Sequence, residues 1–256
     1  MNEKKWRTKI AGTVSGKLLV RGFELTKLIE EVGFISAIWL VLRGELPNKK
    51  QERMLEAILV SSIEHGIGPP STTVARIVAS TGNSVNTAVA AGISAIGEYH
   101  GGAGEAAAEI FERALKTEKN VDAAAKNLVS EIIKSGKRMP GYGHAIYDVD
   151  PRTQTLLKIA KKEGYSGKYI SLAKACEKEL QVQTGKKLPL NIDGVQAALL
   201  LELGFNPKLA KGIFIIGRTP SLVAHVFEEA TEEKPYRRLD ESEIEYLGHQ
   251  KPSKQS

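Results

Sequence analysis

Two residues eight positions apart, His144 and Arg152, could do chemistry together; they lie in the stretch Gly141–Arg152, GYGHAIYDVDPR. An imidazole can donate or accept a hydrogen bond near neutral pH, and a guanidinium grips carboxylates through paired N–H donors. Gly141 and Gly143 let the backbone come close to a ligand. Asp150 is a good N-cap and Pro151 suits a first helical position, so Arg152 is expected in the first turn of a helix. The stretch therefore offers one ring nitrogen and one guanidinium to something small and anionic.

Three of the five histidines lie beside glycine: His65 in Glu64-His65-Gly66, His100 in Tyr99-His100-Gly101-Gly102, and His144 after Gly143. Taken singly, each has an ordinary reading as a helix-terminal or core residue. Together they suggest rings with access to a cleft. Asp193, just before a helical run, reads locally as an N-cap. Arg218 reads locally as a helix-end or surface ion-pair residue, and Arg237 and Arg238 as solvated charges in a loop. No zinc-ligand spacing, phosphate loop or basic stretch interleaved with aromatics is present, so no metal site is expected.

The elements that must position these groups are mostly helical. Residues 8–21 read as a short β element. Helices are expected over Phe23–Glu31, Phe34–Arg43, Lys49–His65, Ser71–Thr81 and Ser84–Tyr99. Others follow near Ala103–Lys116, Val121–Ser135, Pro151–Glu163 and Lys168–Thr184, then over Gly194–Leu203, Pro207–Gly217 and Thr219–Ala230. The fold class is thus mainly α with a short N-terminal β element. The 256 residues allow an ample core, and a 6% aromatic share favours helices packed closely over small residues.

One cysteine, Cys176, excludes an internal disulfide and fits a reducing, cytoplasmic setting. No signal peptide or membrane span is expected. The net charge of +6 is compatible with a polyanionic substrate or with nucleic acid, and by itself does not choose.

The whole string GYGHAIYDVDPR resembles the histidine-plus-arginine signature of the citrate synthase superfamily. The likeness runs from about Val14 to Tyr246. RGFELTKLIEEVGFISAIWLVLRGELP is similar to the family's entry segment. EHG at Glu64–Gly66, YHGGAGEAA at Tyr99–Ala107, LNIDG at Leu190–Gly194 and IIGRTPSLVAH at Ile215–His225 follow in family order. The resemblance implies a two-domain helical fold. Residues 102–203 would form a small domain between two parts of a large one, 1–101 and 204–256.

Carried over residue by residue, the resemblance implies roles. Asp193 would be the acid/base at the acetyl carbon. His100 would hydrogen-bond the thioester oxygen, and His144 the oxygen that alternates between carbonyl and hydroxyl. His65, Arg152 and Arg218 would bind the dicarboxylate, with Arg237 reaching it from a neighbouring subunit. Lys134, Lys137, Arg138, Gly141, Tyr142 and Gly143 would adjoin coenzyme A. Its thioester is substrate or product, and no permanently bound cofactor is implied.

The compact form, with HGIGPPS after the first histidine, is similar to the citryl-CoA lyase branch. That branch includes stand-alone lyases and the C-terminal module of ATP citrate lyase. The implied reaction is retro-Claisen cleavage of citryl-CoA to acetyl-CoA and oxaloacetate. No segment for ATP-driven citrate activation is read in this chain, which leaves room for a separate citryl-CoA synthetase. The implied assembly is a homodimer or larger homo-oligomer. Citrate or 2-methylcitrate synthase activity is the alternative, because synthases carry histidine at the place of His100, where the ATP citrate lyase module carries phenylalanine. A non-catalytic acyl-CoA or tricarboxylate binder is a further alternative; nucleic acid and membrane are not expected partners.

Overall fold

A computed structural model of the protein describes residues 6–143 and 149–249; His144 and Ala145 lie outside the described residues. The fold is mainly α-helical with a small N-terminal sheet. Strands β1 (Ala11–Val14), β2 (Lys17–Val20) and β3 (Phe23–Glu24) form an antiparallel sheet in that order. Ser15 and Gly16 both take positive φ between β1 and β2, the backbone a tight hairpin needs. Phe23 pairs with Val20, so the helix expected from Phe23 begins only at Leu25, as α1 (Leu25–Glu31).

Among the described residues ten longer helices follow: α2 (Phe34–Arg43), α3 (Lys49–Ser61), α4 (Pro70–Ser80), α5 (Val85–Ser94), α6 (Ala103–Thr117), α7 (Val121–Lys134), α8 (Pro151–Glu163), α9 (Lys168–Thr184), α10 (Ile192–Glu202) and α11 (Ala210–Glu232). Their ends follow local chemistry. Asn48 and Gln51 form a reciprocal capping box at α3. Asp150 caps α8, Pro151 opens it, and Gly164 closes it in the left-handed conformation.

One expected break is absent. Gly217 was expected to separate two helices, yet α11 runs through it. A Cβ there would lie 2.9 Å from the Leu59 carbonyl oxygen, so this glycine serves close packing against the end of α3. The segment before α11, Pro207–Leu209, is a single tight 3-10 turn.

The chain divides into two compact units, Met1–His65 with Ile96–Pro220 and Gly66–Ala95 with Ser221–Ser256. In the first, α10 is the central helix. Every residue from Gly194 to Leu201 is buried, and α6, α8 and α9 pack around it. A helix buried on all sides needs the all-round apolar, small sequence that α10 has. Phe111, Leu156, Leu172 and Leu199 belong to that core, each contributing about 2 kcal/mol by leaving water. The second unit has a small core of Ala75, Ala79, Ala88, Leu222 and Val226. Gly92 lets α5 approach α4, where a Cβ would stand 2.7 Å from the Ser71 carbonyl oxygen. Among the described residues no helix is long and apolar enough to cross a membrane.

Candidate active site

Asp193 stands in the first turn of α10, and the cap there is a different residue. The Asn191 side chain accepts from the Asp193 and Gly194 amides at 3.1 and 3.2 Å. The local expectation that Asp193 is itself the N-cap is corrected, and its carboxyl is released from that duty. Burial pushes the Asp193 carboxyl above the usual aspartate range. The Arg152 cation opposes that shift, and the Asp150 anion adds to it. A carboxyl so placed holds a proton that an ordinary surface aspartate would have lost.

The glycine-flanked turn before His144 is laced to the same helix start. Gly143 N donates to the Pro189 carbonyl at 2.8 Å, and Asn191 N to the Gly141 carbonyl at 3.0 Å. The Asn191 amide group donates to the Gly143 carbonyl at 2.9 Å. A Cβ on Gly141 would sit 2.6 Å from the Gly194 Cα, and φ there is +84°. A Cβ on Gly143, at φ +87°, would meet only Leu188 at an ordinary 3.7 Å. Gly141→Ala is therefore expected to lose about 2 kcal/mol or more, through overpacking added to backbone strain. Gly143→Ala is expected to lose about 1 kcal/mol, through strain alone. Urea denaturation midpoints check the order; equal losses would contradict the packing argument.

Tyr142, expected beside coenzyme A, turns its side chain inward. Its hydroxyl donates to the Ala173 carbonyl at 2.8 Å, and its ring meets Phe111 edge-on at 6.3 Å. What this position can offer a ligand is backbone. Lys134, Lys137 and Arg138 are exposed at and after the end of α7.

Arg152 is half-buried and held by its own helix cap. Its Nε and Nη2 donate to the two oxygens of buried Asp150 at 3.1 and 2.9 Å. That two-point grip sets the plane of the guanidinium and leaves its Nη1 edge for a second carboxylate.

His100 and Arg218 meet on one aromatic ring. The His100 ring lies edge-on to Phe214, with centroids 6.1 Å apart. Arg218, one turn further along α11, stacks its guanidinium 5.3 Å from the same ring's centroid. Gly101 makes room: a Cβ there, at φ +79°, would lie 2.6 Å from Phe214. Gly102 is equally constrained, since its Cβ would lie 2.6 Å from the Gly97 carbonyl oxygen.

Burial, Arg218 and His65 all hold the His100 imidazole below the usual histidine range, so the ring is neutral at pH 7. A neutral imidazole still has one N–H to give to an oxygen that gains negative charge. Arg218 is 3% exposed, and its Nε donates to the Ser62 carbonyl at 2.9 Å. Its Nη1 finds no hydrogen-bond partner among the described residues. Burial, and the nearby Arg152, push its affinity for a proton down, while Glu64 acts in the opposite sense. A buried cation with an unfilled donor is what an incoming carboxylate would complete.

His65 is exposed, its backbone N–H donating to the Glu64 carboxylate at 2.7 Å. Pairwise electrostatic influence links His65 and Arg218 to His100, Arg152 to Arg218 and Arg152 to Asp193, all within the first unit. Arg237 belongs to the second unit, where its Nε lies 2.7 Å from buried Glu229 and its Nη2 3.5 Å from Glu233. Glu229 also accepts from buried Arg76 at 2.7 Å.

Three contributors escaped sequence reasoning. Phe214 precedes Arg218 by four residues, a spacing that predicts stacking on a helix. The sequence marks Asp150 as a cap, while the i, i+2 spacing across a helix start also allows its grip on Arg152. Gln196 donates to the Ser61 and Ser62 hydroxyls at 2.8 and 2.7 Å and so braces the carbonyl that holds Arg218; nothing local signals it.

Comparison with known proteins adds a family. Residues 48–239 match the family model described as citrate synthase, C-terminal domain. The citrate synthase of Heyndrickxia coagulans is 27% identical over 82% of this chain and 56% of its own. The 2-methylcitrate synthase of Shewanella oneidensis is 30% identical over 81% of this chain and 54% of its own. The chain thus spans about half the length of the curated relatives it matches. A solved structure of citryl-CoA lyase from Hydrogenobacter thermophilus is 45% identical with a TM-score of 0.92, over 98% of this chain and 97% of that one.

Proposed function

From the premise that this chain belongs to the citrate synthase family, we propose that it is an enzyme cleaving citryl-CoA to acetyl-CoA and oxaloacetate. The observation that carries this reading is the likeness to a citryl-CoA lyase across nearly all of both chains, against half-length likeness to the synthases.

In the proposed step the bond between the thioester's α-carbon and the hydroxyl-bearing carbon breaks. Its electron pair passes to the thioester as an enolate. His100, neutral and aimed from a glycine turn, donates to the enolate oxygen. Asp193, with its raised affinity for a proton, protonates the carbon that becomes the acetyl methyl. The hydroxyl loses one proton as the ketone of oxaloacetate forms, so the reaction is proton-neutral. His144, outside the described residues, is assigned to that oxygen by the family resemblance.

His65, Arg152 and Arg218 hold the dicarboxylate. Lys134, Lys137, Arg138 and the Gly141–Gly143 backbone adjoin coenzyme A. Residues 102–203 act as the small domain that closes on substrate and excludes water from the enolate. Arg237 serves the active site of a second copy, which makes the working form at least a dimer, and a separate synthetase supplies citryl-CoA. Citrate or 2-methylcitrate synthesis is the second reading, favoured by the histidine at position 100.

Citryl-CoA incubated with the purified protein tests the choice. Oxaloacetate, followed through malate dehydrogenase, is expected without release of free CoA thiol. Thiol and citrate as the main products would overturn the lyase reading in favour of a synthase.

A further inference from the structure

α8 and α9 both pack on α10 but leave a gap between them, a cavity of about 550 Å³. Lys158 and Lys161 enter its wall from α8, and Lys174 and Lys178 from α9. Each pair is three or four residues apart on one helix face, so four exposed lysines line one volume. None of the four has an ion-pair partner among the described residues. The one acid in the wall, Glu177, is engaged, one oxygen accepting from Leu190 N at 2.9 Å. Thr153, also in the wall, is 1% exposed, and its hydroxyl has no hydrogen-bond partner among the described residues.

Four like charges lining one cavity make its potential positive and favour an anion there, the more so at low salt. The volume suits a small-molecule ligand. The cations are all lysines, compact point charges without the planar fork that matches a single carboxylate. Charges spread along two helices suit several phosphates in a row.

From this juxtaposition we propose that the α8–α9 cavity binds a polyphosphate-bearing ligand. Its lining includes Val149, next to Asp150, and Pro189 and Leu190, next to Asn191. The inference stands apart from the reaction proposed above, because its readout is binding.

Inorganic tripolyphosphate titrated calorimetrically into the full chain at fixed ionic strength is the probe. Lys158→Gln/Lys178→Gln is expected to weaken binding about tenfold. The charge-matched surface control Lys27→Gln/Lys50→Gln is expected to bind as the parent does. Competition then identifies the source. Displacement by CoA means that the thioester's own phosphates occupy the cavity, and displacement by ATP but not CoA means that a separate nucleotide does. No binding by the parent, or equal weakening in both double variants, overturns the proposal.

Discussion

Asp193→Asn is expected to lower the turnover of citryl-CoA by about 10³-fold while citrate binding stays within a few-fold of the parent. A positioned general acid is worth about 10²–10⁴ in rate, and an amide of the same shape cannot deliver the proton. The backbone scaffold is untouched, because the cap of α10 is Asn191. Stopped-flow turnover and citrate calorimetry on the same preparation check both halves.

The same substitution has a stability consequence whose sign follows from burial. The folded state holds the Asp193 proton more tightly than the unfolded chain does. In the window between the two affinities the folded form carries more protons, so stability falls as pH rises. Asp193→Asn removes that cost. The variant is expected to melt higher than the parent at pH 7, and the gap to close as pH falls toward about 4, the usual range of a free aspartate. A variant that melts lower at pH 7 would mean that the carboxylate is a structural anchor.

Arg218→Gln is expected to weaken binding of citrate or oxaloacetate about 100-fold without lowering the melting temperature. Removing one partner of a desolvated charge pair costs about 2–5 kcal/mol, and about 1.4 kcal/mol is a factor of ten. The free protein is the opposite case. Its guanidinium is buried, short of one hydrogen-bond partner among the described residues and close to a second cation. Burial and Arg152 together outweigh the opposing pull of Glu64 on the charge, and a glutamine can still donate to the Ser62 carbonyl, so stability is expected to hold or rise. Binding loss with a matching fall in melting temperature would assign Arg218 a structural role.

Where helix ends carry their own chemistry, the sequence read true. α2, α8 and α9 have the limits expected from glycine and proline punctuation. Where tertiary packing decides, it did not. Gly217 looks like a breaker and is a contact residue. The helix expected over Ser84–Tyr99 stops at Ser94, because Gly97 to Gly101 close a compact turn with backbone bridges.

The site shows the same division. The residues proposed to contact substrate are picked out by motif and order. Most of the supports are not: Ser62 and Gln196 are brought together with Arg218 from parts of the chain far apart, and only Phe214, one turn earlier on the same helix, lies within reach of a spacing argument. Asp193 shows why local reasoning fails: its position is that of a cap until Asn191, two residues earlier, takes the role.

The shared Phe214 ring has a consequence for selectivity. His100, the donor proposed for the thioester oxygen, and Arg218, a grip proposed for a carboxylate, both pack against this single ring. The spacing between them is thus built in. Under the proposed assignment it sets the span from the thioester oxygen to one carboxylate, and an acyl-CoA with an extra methylene between the two is expected to turn over more slowly.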